Sequence, residues 1–129
     1  NHPGNCVGYR LLVPDSLITF FPDTEARSGR DVGMIDFVRD SDALILDSQY
    51  TAAQYKQHVG WGHGCVDDSV ALAIAANVKK LFLFHHDPDR NDKDVDALVK
   101  HARHLVAARK SKLQVDAARE GVTIQLPSS

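Results

Sequence analysis

Three short apolar runs each lead into an ionisable side chain: Leu17 to Phe21 precedes Asp23, Ala43 to Leu46 precedes Asp47, and Lys79 to Phe84 precedes His85. Runs of this length, rich in Leu, Ile and Phe and separated by helical patterns, predict buried strands of an α/β sheet. In such sheets ligands gather at the carboxyl ends of strands, where the helices leave a crevice open. One Asp or His in that position is commonly a cap or a loop residue. Three in succession predict a site.

The remaining elements fit around these strands. Cys6 to Val13 predicts a strand that forms an antiparallel hairpin with Leu17 to Phe21 across Pro14-Asp15-Ser16. Met34, Ile35 and Val38 mark a short amphipathic helix within Asp31 to Val38, and Thr51 with Gln54 forms a capping box that opens another. Asp68 to Asn77 is apolar all round, as expected of a helix buried between other elements. Asp92 to Arg109 carries one apolar stripe, Val95, Leu98, Val99, Ala102, Leu105 and Val106, and predicts a long surface helix. After a second basic stretch, Gly121 is expected to end a helical run and Val122 to Leu126 to form a last edge strand. No repeat or linker interrupts the 129 residues, so a single unit is expected.

Charge narrows the classes of partner. Fifteen basic residues against 17 acidic ones give no general attraction for nucleic acid or anionic lipid, so any recognition of a polyanion has to be local. No apolar run approaches the ~20 residues of a membrane-spanning helix, and no membrane association is expected. Cys6 and Cys65 form neither a zinc knuckle nor a disulfide framework, which makes a reduced, cytoplasmic setting the expectation. The first residue is Asn rather than Met, as expected of a piece of a longer protein.

Chemistry collects further at Gly60-Trp61-Gly62-His63-Gly64. Gly62 and Gly64 around a histidine, just before a buried helix, could form an anion-binding loop, although a glycine-flanked histidine is more commonly only a turn. The other histidines have plainer readings. His86, next to His85, diverges from it and is read as a loop residue behind the site with some potential as a ligand. His101 and His104 lie near the polar face of the long helix, and His58 suits the C-terminal end of a short one. Tyr55 and Trp61 are read as packing residues rather than base-stacking platforms, because no basic patch accompanies them.

At these residues the sequence resembles metallo-β-lactamase-superfamily hydrolases of the ribonuclease Z and cyclic-phosphodiesterase type, over nearly its whole length. His2 ahead of Gly8-Tyr9-Arg10, Phe21-Pro22-Asp23-Thr24, Asp42 to Asp47, Gly62-His63-Gly64, Leu81 to His85 and Ala118-Arg119-Glu120-Gly121 follow that family's order. The resemblance implies that the chain is the C-terminal half of an αββα sandwich, one mixed sheet with helices on its outer face. It implies two divalent ions, zinc or manganese, with His2, Asp23 and His85 among their ligands and Asp23 bridging. It also implies that Asp47 orients His63, which donates a proton to a leaving oxygen of a phosphodiester. The family's His-x-His-x-Asp-His motif is absent, and Gly64 stands where the family usually has Ser. With that half-site missing, this chain alone is expected to hold little or no metal, to be inactive, and to self-associate or retain an N-terminal half.

Two competing readings remain open. A receiver-type signalling module could use Asp47 as a phosphoacceptor, but it would need paired acidic residues after its first strand and a late Lys-Pro, and no Lys-Pro exists here. The chain could also be an inactive scaffold fragment.

Overall fold

The computed structural model describes residues 2–27 and 30–126. The elements run β1 (Tyr9–Val13), β2 (Ser16–Phe21), α1 (Val32–Val38), β3 (Ala43–Asp47), α2 (Ala52–Tyr55), α3 (Val66–Ala75), β4 (Lys80–Phe84), α4 (Asp92–Ala108) and β5 (Gln114–Ala117). The five strands lie in sequence order in one sheet, with β1 antiparallel to β2 and all later pairs parallel. Because parallel crossovers are right-handed, a strand order that always advances in one direction sends every connecting helix to the same face.

Burial follows that topology. Leu44, Leu46, Leu81 and Leu83, alternate residues of the two central strands, are fully buried against α3 and α4, which contribute Val66, Val70, Leu72, Leu98, Val99 and Ala102. Each such side chain stabilises the fold by about 1.5–3 kcal/mol. On the opposite register Ile45 and Phe84 are half-buried while Ala43 and Phe82 are buried, and Tyr9, Leu11 and Val13 of β1 are exposed. The sheet is therefore mixed, with helices on one face, as the resemblance implied.

Local signals explain the element ends. Val13 pairs with Ser16, so Pro14 and Asp15 alone make the hairpin turn, Pro with its fixed φ and Asp15 in the left-handed region at φ 64°. Asp31 caps α1 through the Met34 N–H, and the Thr51–Gln54 capping box forms as the sequence predicts. An Asn91–Asp94 box opens α4. Helix α3 begins two residues before the predicted Asp68, because a bridge between Tyr50 and Cys65 anchors it and the Tyr50 carbonyl accepts the Val66 N–H at 3.0 Å.

Two expectations fail. The strand expected from Cys6 starts at Tyr9, where β2 first offers a partner. The last strand is Gln114–Ala117 rather than Val122 to Leu126, and residues 118–120, just before Gly121, are not helical. Lys110, at φ 52°, stops α4, with the Ser111 N–H returning to the Val106 carbonyl at 3.1 Å. The period-two burial of Val115 and Ala117 then suits the free edge of β4.

Candidate metal centre

Strands β2, β3 and β4 are neighbours and parallel, so the residues that follow them emerge side by side. Asp23, Asp47 and His85 leave those three ends, and the glycine loop before α3 delivers His63. Each of the four offers one possible ligand atom, and these atoms lie within 4.8 Å of one another. The sequence places His85 directly after β4, yet the chain turns there through φ 57°. Histidine, like Asn and Asp, enters this left-handed region more readily than most side chains. The turn sets Nε2 of His85 2.8 Å from Asp23 Oδ1 and Nδ1 3.1 Å from Gln49 Oε1. With Nδ1 donating to Gln49, the Nε2 lone pair of the neutral ring is available to a metal, and only a ring protonated at both nitrogens donates to Asp23 as well.

Asp47 has a different task. A carboxylate offers about four lone-pair sites. Here Oδ2 accepts from His63 Nδ1 at 2.7 Å and Thr24 N at 3.2 Å, while Oδ1 accepts from Gln49 N at 3.2 Å and Gly64 N at 3.3 Å. Every site is used, and Asp47 is fully buried. Burial pushes its carboxyl above the ordinary range, opposed by the bonds from His63 and Gly64. Asp47 thus holds the His63 ring by Nδ1 and leaves Nε2 unengaged by any described residue. The His63 ring stacks on His85 with centroids 4.5 Å apart.

The glycines of this loop serve close approach. A Cβ on Gly64 would lie 2.5 Å from the Asp47 carbonyl oxygen, and one on Gly62, at φ 93°, would lie 2.5 Å from Pro3 and 2.6 Å from the His2 ring. Two of the loop's N–H groups are already committed, that of Gly64 to Asp47 and that of Gly60 to Glu25. Asp67 and Asp68 in the first turn of α3 also oppose an anion there.

His2 stands beside the four-residue group rather than in it. Its ring meets that of His63 edge-on at 5.5 Å, and its Nδ1 accepts from the Gly4 N–H at 3.2 Å. His86 lies outside the group as well. Its two ring nitrogens are buried with no partner at full hydrogen-bond distance among the described residues, and burial, with Arg90 and Arg119 nearby, outweighs the Leu83 backbone and holds the ring below the usual histidine range. His101 pairs with Asp67 across α3 and α4 at 2.9 Å, and His58 Nδ1 lies 2.7 Å from the Gln54 carbonyl, where the sequence placed it. Trp61 overturns its packing reading, being 61% exposed.

Sequence reasoning missed Glu25 and Gln49. The Glu25 side chain is 1% exposed, and its Oε1 accepts from Tyr55 OH at 2.5 Å and Gly60 N at 2.7 Å, with Arg27 3.5 Å away. Burial raises its carboxyl, but Gly60, Tyr55 and Arg27 outweigh it and the net shift is downward. These bonds tie the strand-end loop of Asp23 to the loop of His63. Nothing local in the sequence marks a glutamate as buried, so only tertiary contacts reveal it.

No protein-family model matches the chain. It is 40% identical over 98 residues to ribonuclease Z of Sulfurisphaera tokodaii, a match covering 73% of this chain and 32% of that protein. It is 37% identical over 59 residues to ribonuclease Z of Picrophilus torridus, covering 46% of this chain and 19% of that one. The chain thus spans a third or less of the length of the curated relatives it matches. The metallo-β-lactamase fold protein YhfI of Bacillus subtilis superposes with a TM-score of 0.75 at 22% identity, over 94% of this chain and 44% of that one. Human tRNase Z, short form, superposes with a TM-score of 0.65 at 18% identity, over 93% and 37% respectively. The chain is a metallo-β-lactamase-fold protein whose sequence is similar to ribonuclease Z.

Proposed function

We propose that this chain is the C-terminal half of a metal-dependent phosphodiesterase acting on an RNA-like or cyclic phosphodiester. In this reading Asp23 and His85, with His2 beside them, supply part of the shell for two divalent ions, zinc or manganese. The donor set suits such ions, since imidazole and carboxylate both bind them and His85 is already oriented from behind by Gln49. Bound divalent ions would activate a water and stabilise the attacking and leaving oxygens.

The chain's own residues carry the rest. Asp47 fixes the His63 ring by Nδ1, and when the ring carries a second proton, on Nε2, that proton passes to the leaving oxygen. Asp23 holds its carboxylate against His85, and Glu25 keeps the two loops in register. The observation that carries the reading is the saturated Asp47: a carboxylate with four donors is spent on positioning His63. The same saturation weighs against a phosphoacceptor role, which would expose that oxygen to an incoming phosphoryl group.

Divalent ions would be held incompletely by three ligands shared between two positions, with the vacant positions filled by water. Metal analysis of the dialysed chain is expected to give well under one zinc or manganese per molecule. Close to two, retained against a mild chelator, would overturn the half-site reading. The setting we propose is cytoplasmic, supported by two cysteines that are free. Among the described residues no helix is long and apolar enough to cross a membrane.

A further inference from the structure

We propose that Trp61 is a stacking platform for a nucleobase of the phosphodiester, built into the same loop as His63; this rests on the phosphodiesterase reading above. The first observation is exposure. Trp61 is the chain's single tryptophan, it is 61% exposed, and it sits between Gly60 and Gly62 at φ 88° and 93°. A large aromatic held in water on a glycine-bounded loop contributes little to the core. It is available to a ligand.

The second observation is a line of rings from Trp61 into the site. Trp61 meets His58 edge-on at 4.6 Å, an angle of 85° that leaves an indole face open. His58 stacks on Tyr50 at 4.5 Å and 13°, Tyr50 meets His63 at 6.4 Å, and His63 stacks on His85 at 4.5 Å. His58 is pinned in turn by the Gln54 carbonyl at 2.7 Å, and Gly60 by Glu25 at 2.7 Å. The indole therefore sits on a braced support, two residues before the proposed proton donor. A base next to the scissile phosphate would find a planar apolar partner there. Stacking of this kind tolerates any base, because each presents a π-face. It also needs no basic patch, since the phosphate would be held at the metal site.

The chain's single tryptophan makes the proposal directly measurable. With zinc added in millimolar excess to fill the weakly held metal positions, adenosine monophosphate at millimolar concentration is expected to quench the fluorescence of Trp61, excited at the red edge of its band, while ribose 5-phosphate is not. Trp61→Phe is expected to keep the broadening of the adenine ring-proton resonances that binding produces, and Trp61→Ala to weaken it on the order of 10–100-fold. Circular dichroism of both variants controls for folding. Equal effects of the two probes, or no effect of adenosine monophosphate, would overturn the proposal. So would broadening that survives Trp61→Ala. Because this readout needs no turnover, quenching by adenosine monophosphate alongside a failure of the longer protein to cleave phosphodiesters would sink the proposed activity and leave the platform standing.

Discussion

Replacing Asp47 by Asn keeps the shape of the side chain and changes only its hydrogen-bonding code, which makes it a sharp probe of the site. Two oxygens that accept from Thr24, Gln49, His63 and Gly64 become one oxygen and one amino group. If the amino group faces Gln49 and Gly64, it meets two backbone N–H groups, neither of which can reverse. If it faces Thr24 and His63, only the Thr24 N–H meets a donor irreversibly, because the imidazole can move its proton from Nδ1 to Nε2. The second orientation should win. It leaves one buried donor opposed and removes charge-assisted bonds, a cost of about 2–3 kcal/mol. For a chain of this size that lowers Tm by roughly 6–12 °C. Thermal unfolding followed by circular dichroism gives the shift, and nitrogen-15 NMR of the ring gives the tautomer, Nδ1 protonated in the parent and Nε2 protonated in Asp47→Asn. An unchanged Tm with the proton still on Nδ1 would refute the account of Asp47 as a saturated acceptor.

Glu25→Gln should destabilise the chain at pH 7 by about 1.5–3 kcal/mol, through loss of the charge on the bonds from Tyr55 and Gly60. Since the folded-state value of Glu25 lies below its ordinary 4.5, this stabilisation is present above 4.5 and is lost as pH falls through the folded value, so the deficit of the variant should disappear in acid; a deficit independent of pH would contradict it. Gly64→Ser, which restores the family's usual residue, should cost about 1–3 kcal/mol in denaturant titration because its Cβ would lie 2.5 Å from the Asp47 carbonyl oxygen; an unchanged midpoint would show that the loop moves aside freely. With Tyr9, Leu11 and Val13 exposed beside a half-buried sheet face, the isolated chain should self-associate unless an N-terminal half covers it. A monodisperse 14.2 kDa species by light scattering at high micromolar concentration would count against that.

The strands that build the site were legible because apolar runs with polar ends carry their own boundaries, and their parallel order follows from the helices between them. The His63–Asp47 pair was legible through resemblance, and its 2.7 Å contact gives that pairing a physical basis. The C-terminal strand was misplaced because Val122 and Ile124 are more apolar than Gln114 to Ala117, and only the free edge of β4 decides between them. Glu25 and Gln49 were invisible because their roles exist only where distant loops meet. Trp61 was misread for the opposite reason: a tryptophan is normally expected to pack, and its exposure is a property of the loop that carries it.

The most direct test of the central claim compares His63→Ala with Asp23→Ala in the longer protein, measuring bound metal and hydrolysis of a chromogenic phosphodiester on the same samples. The account predicts that His63→Ala keeps its metal and slows turnover by ~10²–10⁴-fold, whereas Asp23→Ala loses metal and activity together. Turnover unchanged by His63→Ala, or metal lost with it, would contradict the division of this site into metal ligands and a positioned proton donor.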